Sequence, residues 1–590
     1  MTGPGGVRLS GAVMAHPRRR EAAARLAGDV LGVVTDPDPA GRPSAFRTSL
    51  LAWSSIPDDS THHFLLHDDM VLSGTFFERA ERAAHAMPDA ALALFAFWNS
   101  RNGAAVRQGA LAGARWVAGA GEYTPVAALL LPREVAEGYV EWAKDRGDTW
   151  PDDVLMGRYL RQAGVPVFVA VPNLAEHEDL ASLVDNDFQG LRRSPCFFTD
   201  DPLASQGEDA VPADLPVIPF FKRGIAQCAV RVPGSRRWRD LRCEDYLAGL
   251  GIDAGSLRAR AAAGRHWPLW LTAYTMGVVH RGARGDARVL DEALATLGPG
   301  GLCHELGWRE LAGLSAELHE VARAGLEAGL SRSEGRPPRR VDRGPVAVSG
   351  SSTFVREHLA GALADRGFRL TGPGSGGPVV HVCALGWSPD ADPEEEVRLA
   401  RAAFAGGAGG VLLSSFHVYP ERKWVDEETP VGPAGEGGVS AALLQVEEEA
   451  AAGAVVLRLG EPYGPGMPQL GPVAELVLRS SLNRPAPVSG RPVQLVHVQD
   501  IAGAVLAALE RGRAGRVYNI ADRKRLRMGE LAEAVSGAVR PMEVETSDEP
   551  PGALVNVERA GVELGWRAGV TLDYGLHTCA QWLAYESDRS

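Results

Sequence analysis

The chain has 590 residues, 45% hydrophobic and 23% charged, with 69 glycines and 40 prolines. That length exceeds what one hydrophobic core supports, so several domains are expected. A formal net charge of −13 excludes a general binder of nucleic acid or of anionic membrane, because such partners would be repelled. The six cysteines (Cys196, Cys228, Cys243, Cys303, Cys383, Cys579) form no CxxC and no zinc-type spacing. A reduced, cytoplasmic protein is therefore expected rather than a disulfide framework. No apolar run reaches the ~18 residues that span a bilayer, and the opening MTGPGGVRLSGA lacks the apolar core of a signal peptide.

In chain order, residues 12–15 form a short apolar strand that ends in His16-Pro17 and the basic trio Arg18, Arg19, Arg20. A helix over 21–26 and a strand over 31–35 follow, and that strand ends on Asp36-Pro37-Asp38. Arg47 begins a helix to Trp53, which leads into THHFLLHDDM at 61–70. Such a β-α-β opening predicts a parallel sheet with ligands at the strand ends. Phe64, Leu65 and Leu66 read as the end of a buried strand, and Asp68 and Asp69 follow at once. Adjacent carboxylates at the mouth of a buried strand repel each other and require a neutralising cation. An acidic turn, or an N-cap for a helix near Phe76, is the plainer use of the same residues. Further on, Asp152 and Asp153 open a helix over 154–163 that Gly164 stops. Acids there also serve as ordinary caps. His177 follows a strand over 167–171.

The segments AVMAHPRRR, VVTDPDP, RTSLLAW, HHFLLHDDM, DDVLMGRYLRQAGVPV and PNLAEH together resemble bacterial GT-A glycosyltransferases. The resemblance implies a GT-A-like Rossmannoid domain over 1–210, a nucleotide-sugar donor and a divalent metal, Mn²⁺ or Mg²⁺. It implies Asp69 as a direct metal ligand, with His177 returning to the ion and Asp68 beside the donor diphosphate. Asp153, with Asp152 as its neighbour, takes the place of the general base that deprotonates the acceptor hydroxyl. His16, Arg18, Asp36 and Arg47 are the donor-side candidates, since strand-end or loop positions put base, ribose or phosphate within reach. The first acid of the family's D-x-D pattern falls on His67, so the motif is a variant. Trp98, Asn99 and Tyr123 are candidates for an acceptor pocket, although packing the sheet is the plainer role for Trp98 and Tyr123.

Residues 211–330 lose the strand–helix alternation and read as mainly helical, with helices at 267–279 and 311–330. SRSEGRPPRRVDRGP at 331–345 reads as a linker. A strand at 346–350 and a helix at 354–366 then open a second half. Its GSSTFVREHL, VVHVCALGW, VLLSSFHVYP, LRLGEPYGPG, HVQDIAGAVLAALE and YNIAD resemble the extended short-chain dehydrogenase/reductase group, the NAD-dependent epimerase/dehydratase family. A C-terminal Rossmann domain over 346–590 is implied, and the whole chain is expected to be α/β. Yet of the three fingerprint glycines only Gly350 remains, with Thr353 and Arg356 at the other places. No Asp or Glu lies between Arg366 and Pro389 to hold a ribose. Ser414 or Ser415 keeps the family's serine, but Gly438-Val-Ser-Ala-Ala442 stands where Tyr-x-x-x-Lys is expected. NAD is therefore not expected to bind. The half is expected to be a pseudoenzyme that braces the transferase, presents the acceptor or makes a homo-oligomer contact.

The function expected is metal-dependent transfer of a sugar from a nucleotide-sugar donor to a small-molecule or glycan acceptor. The alternatives are a non-catalytic scaffold and an active NAD-dependent sugar epimerase or reductase fused to a transferase.

Overall fold

The computed structural model describes residues 6–41, 44–146, 150–178, 190–208, 213–232, 234–235, 237–261, 263–335, 339–388, 390–420, 424–432, 438–468, 471–482, 484–488, 492–546 and 554–586. The chain divides into two compact units, Met1–Ala248 with Ile252–Pro338, and Gly249–Gly251 with Arg339–Ser590. Of the expected linker 331–345, residues 331–335 continue the helix Trp308–Gly335, and residues 336–338 lie outside the described ones.

The first unit opens with β1 (Leu9–Ala15), α1 (Arg20–Ala27), β2 (Gly32–Thr35), α2 (Ala45–Trp53) and β3 (His62–His67). There follow β4 (Met70–Leu72), α3 (Phe76–Ala86), β5 (Ala91–Ala93), α4 (Arg101–Ala112), β6 (Trp116–Ala118), β7 (Ala128–Pro132), α5 (Arg133–Ala143), α6 (Asp152–Ala163), β8 (Val167–Ala170) and β9 (Ala175–His177). Seven strands form one sheet in the order β2-β1-β3-β7-β5-β8-β6. β1, β2 and β3 are mutually parallel, so their C-terminal ends share one edge. β7 runs antiparallel to both β3 and β5. A separate two-stranded pair, β4 with β9, places His177 opposite Met70.

The period-2 alternation of strand side chains decides the layers. On β3, Phe64 and Leu66 pack with Ala23, Phe76 and Ala80 on one face of the sheet. Leu65 joins Trp53, Ala136, Tyr139 and Leu155 on the other. Apolar residues fill both faces, which is why the strand reads as a continuous apolar run. Below one face a fully buried Arg79 bonds Glu208 (Nε–Oε1 2.7 Å) and Asp201 (Nη1–Oδ2 2.9 Å), while Arg115 and Trp116 also donate to Glu208.

Within the stretch expected to be mainly helical, β10 (Val217–Lys222), β11 (Ile225–Arg231) and β12 (Trp238–Arg242) form a three-stranded antiparallel sheet. Mid-strand Pro219 hides β10 from a reading by propensity. The helix Trp267–Val279 has the bounds expected, and its Leu269, Ala273 and Met276 pack against Leu318, Ala322 and Leu326. Among the described residues no helix is long and apolar enough to cross a membrane.

The second unit holds β13 (Pro345–Gly350), β14 (Arg369–Thr371), β15 (Val379–Val382), β16 (Gly410–Ser415) and β17 (Ala454–Leu459). With the strand Val517–Ile520 they form a six-stranded sheet, β14-β13-β15-β16-β17-(517–520), whose pairings are all parallel. Helices Thr353–Asp365 and Val498–Arg511 cover one face, and Pro393–Ala403 and Val439–Ala450 the other.

Both sheets carry a cross-strand pair of a half-buried Ser and a buried His. In the first, Ser10 on β1 is in register with His63 on β3, with Oγ and Nδ1 2.8 Å apart. In the second, Ser349 on β13 is in register with His381 on β15, at 3.0 Å.

Candidate functional site

The C-terminal edge of β1, β2 and β3 gathers most of the charged candidates of the first unit. β3 delivers Asp68 and Asp69 into the turn before β4, and both are at least nine-tenths buried. Beyond β1, Pro17 starts a short 3₁₀ turn, Pro17–Arg19, capped by the His16 side chain. That turn swings Arg19 inward and leaves Arg18 exposed. Arg19 Nη1 donates to Asp68 Oδ1 at 3.1 Å and to Asp69 Oδ2 at 2.7 Å. The backbone N–H of His16 donates to Asp68 Oδ2 at 3.2 Å. His177 Nε2 lies 3.3 Å from Asp69 Oδ2, delivered there by the β4–β9 pairing.

Burial and the neighbouring Asp69 push the Asp68 carboxyl above the usual carboxylate range, against the pull of Arg19. Burial acts the same way on Asp69, but His177, His67 and Arg19 outweigh it and hold that carboxyl low. Burial also depresses His177 to about 4. At neutral pH the imidazole is therefore neutral, so its pull on Asp69 acts only in acid, and its Nε2 lies 3.3 Å from Asp69 Oδ2. The guanidinium of Arg19 is the cation that remains.

Beside this cluster, Asp36 at the end of β2 is held bidentately by Arg47 from α2, with Nε–Oδ1 2.7 Å and Nη2–Oδ2 2.9 Å. Arg47 lowers the Asp36 carboxyl, and the charge of His16 is felt there too. His16, Asp36, Arg47, Asp68, Asp69 and His177 therefore meet at one edge. Asp152 and Asp153 open α6, where Asp153 Oδ1 accepts the Val154 N–H at 2.9 Å. An aromatic bridge leads toward them from His177. Phe97 lies 6.3 Å from the His177 ring and 5.4 Å from Tyr123, and the charge of Asp153 reaches Tyr123. Trp98 packs in the core against Cys303 and Leu311, and its indole donates to the Leu191 carbonyl at 2.8 Å. Asn99 bonds the His304 ring at 3.1 Å.

The expected metal finds no ligand set. Among the described residues no group of three or more His, Cys, Asp or Glu is placed to hold an ion. Three of the four carboxylate oxygens of Asp68 and Asp69 are engaged by Arg19, His16 or His177, and the fourth, Asp69 Oδ1, is buried without a hydrogen-bond partner. Water and phosphate can fill most of a divalent cation's roughly six positions, but a guanidinium already occupies the place between the two acids. These residues do not fit a metal.

Two participants were not legible in the sequence. Arg19 was one of three neighbouring arginines, and only the turn after Pro17 selects it. Glu176 is the other: its carboxylate accepts the His177 N–H at 2.7 Å and the Ser194 N–H at 2.8 Å, fixing the strand that carries His177.

In the second unit, Gly350 at the end of β13 has φ +113°, a conformation that suits glycine. Its carbonyl accepts from Arg356 Nη1 at 2.7 Å. The long side chain of Arg356 therefore folds over the strand–helix turn, where a dinucleotide's pyrophosphate would lie. Ser414 Oγ donates to Glu447 at 2.7 Å, and Glu447 is paired with Arg458 at 2.7 Å. Ser415 Oγ lies 2.8 Å from His417 Nδ1. A small, partly open cleft nearby is lined largely by apolar groups, among them Phe354, Trp387, Met467 and Pro472, with Ser352 and Glu461.

Residues 394–521 match the NAD dependent epimerase/dehydratase family. No curated protein matches the chain. Several solved structures are similar over part of it. They include a UDP-glucuronic acid 4-epimerase from Bacillus cereus in complex with NAD, 16% identical, covering 41% of this chain and 100% of that one with a TM-score of 0.35. A dTDP-glucose 4,6-dehydratase from Bacillus anthracis in complex with NAD is 16% identical, covering 41% and 97% with a TM-score of 0.34. A UDP-glucose 4-epimerase from Thermotoga maritima with UDP-glucose is 16% identical, covering 40% and 98% with a TM-score of 0.33. The family match lends no support to the expectation that NAD is absent. The Gly350–Arg356 turn and the acid-free stretch after β14 do not fit that cofactor.

Proposed function

We propose that the first unit is a glycosyltransferase that moves a sugar from a nucleotide-sugar donor to a hydroxyl of a small-molecule or glycan acceptor. The observation that carries this reading is the meeting of Asp68, Asp69, Arg19 and His177 at the mouth of β1–β3, beside the Asp36–Arg47 pair. Ligands of open α/β sheets bind at the C-terminal ends of parallel strands, and the resemblance of the motifs to GT-A enzymes lies in these same residues. On this reading the nucleoside rests by Asp36 and Arg47, and the diphosphate near Arg19. Asp153, beyond the Phe97–Tyr123 bridge, takes the acceptor's hydroxyl proton. The acceptor oxygen then bonds the anomeric carbon, and the nucleoside diphosphate leaves with the electron pair of the broken C–O bond. A cytoplasmic setting is supported by the six cysteines, all free and buried.

The second unit, on the same reading, keeps an epimerase/dehydratase fold without its chemistry. Arg356 closes the pyrophosphate position, and the helix Val439–Ala450 brings neither Tyr nor Lys to Ser414 or Ser415. The competing reading, an active NAD-dependent sugar epimerase in this unit, draws its support from the family match over 394–521.

Thermal-shift titration of the full chain with UDP, GDP, CDP, TDP and NAD separates the two. One nucleoside diphosphate should stabilise the wild type and lose that effect in Asp69→Asn. Stabilisation by NAD alone would transfer the activity to the second unit, and silence toward every nucleoside diphosphate would end the transferase reading.

A further inference from the structure

We infer that Arg19 is the resident cation of the first unit's site, and that the ligand's diphosphate is bound there without a divalent metal. The inference rests on the transferase reading above and departs from the metal dependence that the resemblance implies.

Two adjacent carboxylates, each at least nine-tenths buried, stay charged only when a cation faces both. One nitrogen of Arg19 reaches both, at 3.1 and 2.7 Å. A guanidinium is never deprotonated in the working pH range and presents five donors in a rigid fork suited to carboxylate and phosphate alike. His177, which would be a metal's second ligand, has its Nε2 3.3 Å from Asp69 Oδ2, the oxygen that Arg19 also engages. Arg192 stands near enough to His177 for its charge to be felt, so the site already holds more than one positive group. A divalent ion added here would displace Arg19 from both acids or sit against its charge.

Two buried polar atoms of the cluster lack hydrogen-bond partners, Asp69 Oδ1 and His67 Nε2. One carboxylate oxygen and one imidazole nitrogen would leave most of a divalent ion's roughly six positions to water and phosphate. The carboxylate oxygen can accept from a hydroxyl, and the imidazole nitrogen can bond one in either tautomer. The sugar of the donor supplies such groups.

The test is calorimetric titration of the full chain with UDP, GDP, CDP and TDP, in EDTA and in Mn²⁺, alongside paramagnetic resonance of Mn²⁺ alone. The nucleotide that binds should do so with a Kd that agrees within about twofold in the two buffers, and wild type should leave the free Mn²⁺ signal unchanged. Arg19→Ala should weaken binding in EDTA by about tenfold or more, and should capture Mn²⁺ through the exposed acids. Arg19→Lys, which keeps the charge, should stay nearer wild type and controls for folding. Binding by wild type only in Mn²⁺, or Mn²⁺ capture by wild type that Asp69→Asn abolishes, would overturn the inference and leave the transferase reading standing. No nucleotide bound in either buffer would overturn both.

Discussion

The mouths of the two sheets differ in where their charge points. In the first unit, acids and bases from separate elements face one another across the strand ends: Asp68 and Asp69 with Arg19, and Asp36 with Arg47. In the second, Arg356 is folded onto the backbone, and Glu447 is spent on Ser414 and Arg458. What is left there is a largely apolar cleft. Parallel strands offer an edge in both units, and side chains decide whether that edge holds a polar ligand.

The largest expected effect of a single substitution lies beneath the first mouth. Arg79→Met would leave Asp201 and Glu208 buried with Arg115 as the cation between them, at a cost of roughly 3 kcal/mol. Hydrogen exchange read by mass spectrometry should quicken in peptides of the first unit and leave the second unchanged. Next, Arg458→Met strands Glu447 and should cost the second unit about 3 kcal/mol. Nucleotide binding at the first mouth should not move. A loss of binding would break the comparison, because it would make the second unit's charge pair part of the site.

Acid should reach both units, but unequally. Burial depresses His63, His177 and His381 from 6.5 to about 4. Between those values the unfolded chain binds protons that the folded chain refuses. Stability is therefore complete above pH 6.5 and is lost as pH falls toward 4, by about 3 kcal/mol per histidine. Two of the three lie in the first unit, so pulse proteolysis at falling pH should open it first. The His381→Asn variant should flatten the second unit's response. The smallest effect is at Arg356: Arg356→Ala removes one hydrogen bond to Gly350, worth about 1 kcal/mol. It should not create NAD binding, since no acid follows β14 to hold a ribose. A thermal shift with NAD in that variant would sharpen the contrast into a single blocking side chain.

Patterns local in sequence were legible. The apolar strand end Phe64–Leu66, the helix at 267–279 and the strand at 346–350 follow from local pattern, and the strand-end acids follow from them. Partnerships set by distant backbone were not. Which arginine of 18–20 turns inward depends on the turn after Pro17, and the Arg79–Glu208 pair joins residues far apart in the chain. The metal expectation finds no ligand group among the described residues for the same reason: acid spacing shows a need for positive charge, not which group supplies it.

The paired serines and histidines of the two sheets give each unit its own spectroscopic label. At His63 both ring nitrogens are committed, Nδ1 to Ser10 and Nε2 to the Ala52 carbonyl at 3.1 Å. A carbonyl only accepts, so Nε2 carries the proton and Ser10 donates to Nδ1. The ring is locked in one tautomer. His381 has the matching serine contact, but its Nε2 is buried without a partner, so no carbonyl dictates its tautomer. Nitrogen-15 spectra of the imidazoles should therefore show one ring with fixed, widely split resonances and another whose splitting reports its own equilibrium. Two signals from one sample would tell which half of the chain a given ligand, acid or substitution has disturbed.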